Sequence, residues 1–315
     1  MATQTLSIKT SGGDATTLSG AEALISNGTD DWVLRYDEAM TDTTACVINY
    51  AVTSGSITAT VATGFRHNGT LTHSGAKLSG SGNPQLQIDS DNVTVEWLHV
   101  RTSLGDYCVS CVNNTTDGLV VRNCVIERAR VGGSGNALII YTIPTNAVVQ
   151  NCLVYHKGTL SAPVVLSRGY LLNCTVYATG TPPLGVEAVY AAQTYAMNSV
   201  VIGSFGTAAY ENKVGALGTG NNAGSDTSAP GSTAYDSFDG SQFVDLANGD
   251  PHWDDAATAA TYPGADASAY MVGSTADNDG TPRVASVWDI GCDQIRVPAA
   301  AGRRHGLSLR LGLGL

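Results

Sequence analysis

Leu119-Val-Val-Arg-Asn-Cys-Val-Ile126 is written again, with small changes, as Val148-Val-Gln-Asn-Cys-Leu-Val154, Leu171-Leu-Asn-Cys-Thr-Val176 and Ala196-Met-Asn-Ser-Val-Val-Ile202. A looser copy, Val93-Thr-Val-Glu-Trp-Leu-His-Val100, precedes them. The frame is a short strand, Asn, then Cys or Ser, then a second strand. With Leu98, Cys124, Cys152, Cys174 and Ser199 taken as equivalent, the steps are 26, 28, 22 and 25 residues. Repeats of that period mark a solenoid, and β-branched strands with Gly, Asn and Thr turns make it a β-solenoid.

One coil cannot stand alone. Some eight buried apolar side chains at roughly 2 kcal/mol each do not offset about 1–2 kcal/mol of backbone entropy per residue over about 25 residues. Coils must therefore stack, sharing parallel ladders and one apolar interior. Stacking places Asn123, Asn151, Asn173 and Asn198 one above another at a tight turn, where each amide is expected to bond the backbone or amide of the next coil. Cys124, Cys152 and Cys174 are expected to form an inward column of small hydrophobes beside them. A catalytic cysteine is the competing reading, and three equivalent copies favour the structural one.

Composition agrees. Charged residues make up 14% of the 315, well below the usual share, and 36 glycines with only four Phe point to strands and turns rather than helices. Sixteen Lys and Arg against 27 Asp and Glu give a net charge of -11, which repels a nucleic-acid backbone or an anionic membrane. Neither nucleic acid nor membrane insertion is expected, since no apolar run reaches about 18 residues. The amino end shows no export signal, which implies synthesis and retention in a cytoplasm. Seven cysteines, an odd number, argue for reduced thiols. Cys108-x-x-Cys111 lacks the second pair a metal site would need, so neither metal nor cofactor is expected.

These coils resemble the right-handed parallel β-helix of the pectin-lyase-like superfamily, in which Asn ladders and stacked small residues recur. Gly13-Asp-Ala-Thr-Thr-Leu-Ser-Gly-Ala-Glu-Ala-Leu24 resembles the opening segment of such proteins, where a short helix caps the first coil. Ser19 and Glu22 have the spacing of a capping box for that helix. Asp277-Asn-Asp-Gly-Thr-Pro-Arg283, followed by Trp288-Asp-Ile-Gly291, resembles the closing segment of many bacterial and phage-borne β-helix proteins, and Phe243 to His252 fits the same block. The fold implied is all-β, a single-stranded β-helix with a short N-terminal capping helix. Its expected layout is a cap and first coil (1–45), central coils (46–202), last coils with long loops and the closing segment (203–296), and a linker with a tail (297–315).

Chemistry is harder to place. A polysaccharide hydrolase needs two carboxyl groups roughly 5–10 Å apart, yet Glu96 aligns with Arg122 and Gln150 and no acidic column forms. The Gly-His-Gly and Arg-x-Lys patterns of the galacturonase-like members are missing, and no calcium-binding acid cluster of the lyase-like members can be assembled. The remaining cluster is Arg122, Glu127, Arg128 and Arg130 with His156 and Lys157 one coil later, expected to share an exposed edge as a glycan or partner contact, or as solvated ion pairs. The tail carries Arg303 and Arg304 and alternates Leu307, Leu309, Leu311, Leu313 and Leu315. That strand-like alternation is expected to dock onto its own helix, a twin subunit or a larger assembly.

The resemblance, the absent signal and the docking tail lead to a non-enzymatic bacteriophage virion protein: a decoration, spike or fibre-like component displayed on the particle surface. It is expected to contact other virion proteins or its own copies, as a trimer by analogy, and a cell-surface glycan. The alternatives are a polysaccharide depolymerase or a glycan-binding protein on the same fold.

Overall fold

The computed structural model describes residues 2–112, 117–141, 147–189, 193–211, 214–218, 220–273, 276–277, 280, 283 and 288–293. The tail, with Arg303, Arg304 and the five alternating leucines, lies outside the described residues.

The chain is a parallel β-solenoid, all-β with almost no helix, as the resemblance implied. Three parallel sheets of nine, eight and seven strands run along its length. The first includes Val93–Glu96, Val120–Arg122, Ala147–Gln150, Gly169–Leu172 and Thr194–Met197. The second includes Lys77–Gly80, His99–Thr102, Val125–Arg128, Leu153–His156, Thr175–Ala178 and Val200–Gly203. The third includes Leu86–Ile88, Val109–Cys111, Leu138–Ile140 and Val164–Leu166. The repeat register is the register of the sheets: the amides of Val125, Leu153, Thr175 and Val200 donate to the carbonyls of Leu98, Cys124, Cys152 and Cys174 at 2.8–3.1 Å. Inward side chains such as Val95, Val121, Val149, Ile126, Val154 and Val176 are fully buried in one continuous core. Among the described residues no helix is long and apolar enough to cross a membrane.

The turn between the first and second sheets explains the Asn-Cys pair. Asn123, Asn151, Asn173 and Asn198 sit at φ of 49° to 54°, the left-handed region that Asn tolerates better than most residues. Trp97 holds the same place in the preceding coil at φ 60°. The cysteines after them are fully buried, and each thiol also donates to the preceding coil: Cys124 to Val95 O (3.5 Å), Cys152 to Val121 O (3.6 Å) and Cys174 to Val149 O (3.6 Å). Ser199 repeats the bond with its hydroxyl, to Leu171 O at 3.0 Å. From Cys124 onward the position holds a small group that is also a donor, whereas Leu98, its equivalent one coil earlier, is a buried apolar residue. Burial raises the Cys152 thiol well above its ordinary value, which makes that thiol a poor nucleophile.

At the amino end the helix is Leu18–Glu22, capped by Thr17, whose hydroxyl accepts from Gly20 N at 3.0 Å. The expected Ser19–Glu22 box is not the cap. The helix starts earlier because Asp42, buried in the second sheet, accepts from Leu18 N at 2.7 Å, and Glu22 instead accepts from Asn49 N in the adjoining coil.

After the last coil, the chain folds back along the outside. Phe238, Phe243, Leu246, Trp253 and Ile290 pack on Val200 and Ile202 of the second sheet. Ala267 and Trp288 pack on Val148, Leu172 and Met197 of the first. Cys292 reaches Val125 and Leu153.

Candidate functional site

The parallel register sorts the outward side chains of the second sheet into two columns: Lys77, His99, Val125, Leu153, Thr175 and Val200, and Ser79, Arg101, Glu127, Tyr155, Tyr177 and Ile202. Both columns begin polar and end apolar. The returning segment covers the apolar end, while at the polar end a groove of about 380 Å³ remains, lined by Thr41, Lys77, Arg101, Glu127, Tyr155 and Lys157 together with Leu71, Thr72, Ser79, His99 and Asn248.

One wall of this groove is a long excursion between the strand Ile57–Val61 and Lys77. Two histidines fasten it. Gly75 N–H donates to His73 Nδ1 at 3.0 Å, so the ring hydrogen lies on Nε2, which donates to His99 Nδ1 at 2.8 Å. His99 Nε2–H is left to donate to Glu127 Oε2 at 3.3 Å. Gly69 N–H fixes His67 in the same way, at 3.2 Å, and His67 Nε2–H donates to Asn123 O at 2.8 Å. Burial first, then the neighbouring His99, pushes His73 down to about 2. Burial lowers His99 as well, outweighing the Glu127 carboxylate. Burial alone would raise the Glu127 carboxyl, but the His99 hydrogen bond and Arg101, 3.1 Å away, hold it below its ordinary value. Both nitrogens of His73 and of His99 are spent on these bonds. The relay positions the wall and leaves no ring nitrogen of those two as a base.

The six residues expected to share one exposed edge fall in four places. Arg122 is on the outer face of the first sheet, paired with Glu96 at 2.6 Å and donating to Val272 O at 2.7 Å. Gln150, one coil on, accepts from Val272 N at 2.9 Å, so this column fastens the returning segment. Glu127 and Lys157 line the groove. Arg128 and His156 are fully buried at the turn toward the third sheet. Arg128 donates to the carbonyls of Asp106, Arg130 and Gly132, and His156 Nε2 to Gly135 O. Gly158 is required there, because a Cβ would lie 2.2 Å from the Arg128 guanidinium. Arg130 pairs with Asp106 at the surface at 2.8 Å. The exposed-edge expectation fails because the strand Val125–Arg128 is buried on both faces.

The ladder amides also differ from expectation. Asn198 Nδ2 donates to Asn173 Oδ1 at 2.9 Å, a bond along the ladder. Otherwise the amides face outward and hold the returning chain: Asn123 to Ala276 O and Asp277 O, Asn151 to Ala276 O, Asn173 to Met271 Sδ, Asn198 to Ala265 O. Ala265 N–H donates back to Asn198 Oδ1 at 2.8 Å. The closing motif completes the clasp. Buried Arg283 donates to the carbonyls of Asp289 and Gly291, and Gly291 N–H donates to Asn198 O at 2.7 Å. What the sequence does not reveal is the excursion, since His67, His73 and Leu71 lie outside the repeat; its length between two strands was the available signal.

No family model and no curated protein matches the chain. Two solved structures of pectin methylesterase do, one a mutant in complex with hexasaccharide IV and the other in complex with hexasaccharide VII. Each is 12% identical and is aligned over 69% of this chain and 78% of its own, with a TM-score of 0.37.

Proposed function

We propose that this chain is a structural component of a bacteriophage particle, a decoration, spike or fibre-like protein that displays a rigid β-helix at the surface. The observation that carries this reading is the use made of the outward polar side chains. The Asn ladder, the Glu96–Arg122–Gln150 column and Arg283 all serve to bind the returning segment to the coils. A solenoid clasped along its own length suits a part whose work is to stay rigid outside a cell. The resemblance of the opening and closing segments to phage-borne β-helices supports the particle setting, and the alternating leucines of 307–315 supply a docking element.

Labelling purified particles with an antibody against the coils tests the reading. Regular decoration of intact particles is expected, lost when residues 303–315 are deleted. Particles without label, together with release of reducing ends or unsaturated uronates from a host capsule, would replace it with the depolymerase reading.

A further inference from the structure

We propose that the groove at the polar end of the second sheet is a binding site for an oxyanion carried on a hydroxylated ligand, held by Lys77, Arg101 and Lys157. The chain has only four lysines in 315 residues, and two of them, from coils far apart in sequence, line this groove. That is against the trend of a protein with net charge -11. The carboxylate of the lining, Glu127, is already engaged by Arg101 and His99. Among the described residues neither Lys77 nor Lys157 has a carboxylate within ion-pair distance, and the neutral histidines turn their N–H groups away into the relay. Lys77 and Arg101, like charges in one concavity, repel each other, and an anion between them removes that cost.

The remaining lining suits a hydroxylated ligand. Thr41, Thr72 and Ser79 supply hydroxyls, and Asn248 supplies an amide. Tyr155, its hydroxyl bound to Ala247 O at 2.6 Å, presents its ring beneath Lys157, whose nitrogen is 5.5 Å from the ring centroid. Carboxylate, sulfate and phosphate groups share the chemistry this site recognises.

The test is calorimetric titration of the full chain with sodium sulfate, a glucuronate trisaccharide and a glucose trisaccharide. Saturable binding of an anionic probe is expected, weakening with added salt and absent for the glucose trisaccharide. Lys77→Gln with Lys157→Gln should weaken it at least tenfold, whereas Lys9→Gln, outside the groove, should leave it unchanged. Lys157→Gln alone, should the pair disturb folding, is expected to weaken it severalfold. Tighter binding of the glucuronate trisaccharide than of sulfate assigns the site to an acidic saccharide; equal binding assigns it to the free oxyanion. No saturation by either anion, or wild-type affinity in the lysine variants, would overturn the proposal while leaving the particle labelling unaffected.

Discussion

The two ends of the second sheet's outer face have the same backbone and opposite fates. From Lys77 to Glu127 the outward columns carry charge and hydroxyls, and the face stays open as a groove. From Val125 to Ile202 they carry Val, Leu, Thr and Tyr; the returning chain covers Val125 and Leu153 with Cys292, and Val200 and Ile202 with Phe243, Trp253 and Ile290, while Tyr155 lines the edge of the groove. In a parallel solenoid each coil repeats the geometry of the last, so outward composition alone decides whether a face becomes a core or a site.

Substitutions that break the covered end should cost most. Trp253→Ala removes a buried ring stacked with Tyr262 and 4.8 Å from Phe243, and about 3–5 kcal/mol of stability should be lost in urea unfolding. A cost below about 1 kcal/mol would mean the cover is only loosely seated.

The clasp comes next. Asn198→Gly keeps the φ of 54° but loses the amide bonds to Ala265 and Asn173, for about 2–3 kcal/mol. Asn198→Ala adds about 1 kcal/mol of left-handed strain, so Ala should be the worse of the two. Equal costs would mean that the turn geometry does not select Asn.

At the polar end the expected effect is pH dependence. His73, pushed down to about 2, and His156, to about 4, both by burial, are neutral when folded; His99 is lowered likewise. An unfolded chain binds protons at these sites below about pH 6.5 while the folded one does not. Stability from these groups is complete above that pH and falls as pH drops toward 4, by up to about 1.4 kcal/mol per pH unit for each histidine. Glu127, lowered by His99 and Arg101 against its burial, adds a loss below its ordinary range. Chemical unfolding at pH 7, 6, 5 and 4 should show this slope, and His73→Gln should flatten it.

Least affected should be Arg130→Ala. It breaks an exposed pair with Asp106, and within about 1 kcal/mol it should leave both ends of the face unchanged.

The repeat made the coils legible because parallel stacking writes the same small residues at the same turn. Asn123 and Cys124 could be aligned with their copies by eye. What the outward residues do was less legible, because their partners come from non-repeating chain far away in sequence. Arg122 meets Val272, and Asn123 meets Ala276. Arg128 looked exposed because strand alternation assumes water on one side, and here the turn closes over it. Glu127 could be paired from sequence with neither His99 nor Arg101 until the coil register put them side by side.

The central claim is that the Asn ladder holds the returning segment to the coils, and amide hydrogen exchange in Asn198→Gly tests it most directly. Ala265, whose N–H donates to the Asn198 side chain, should exchange at least tenfold faster in the variant, while Val100 and Ile126 in the coils keep their wild-type protection. Unchanged exchange at Ala265, or equal loss of protection throughout the coils, would contradict the account.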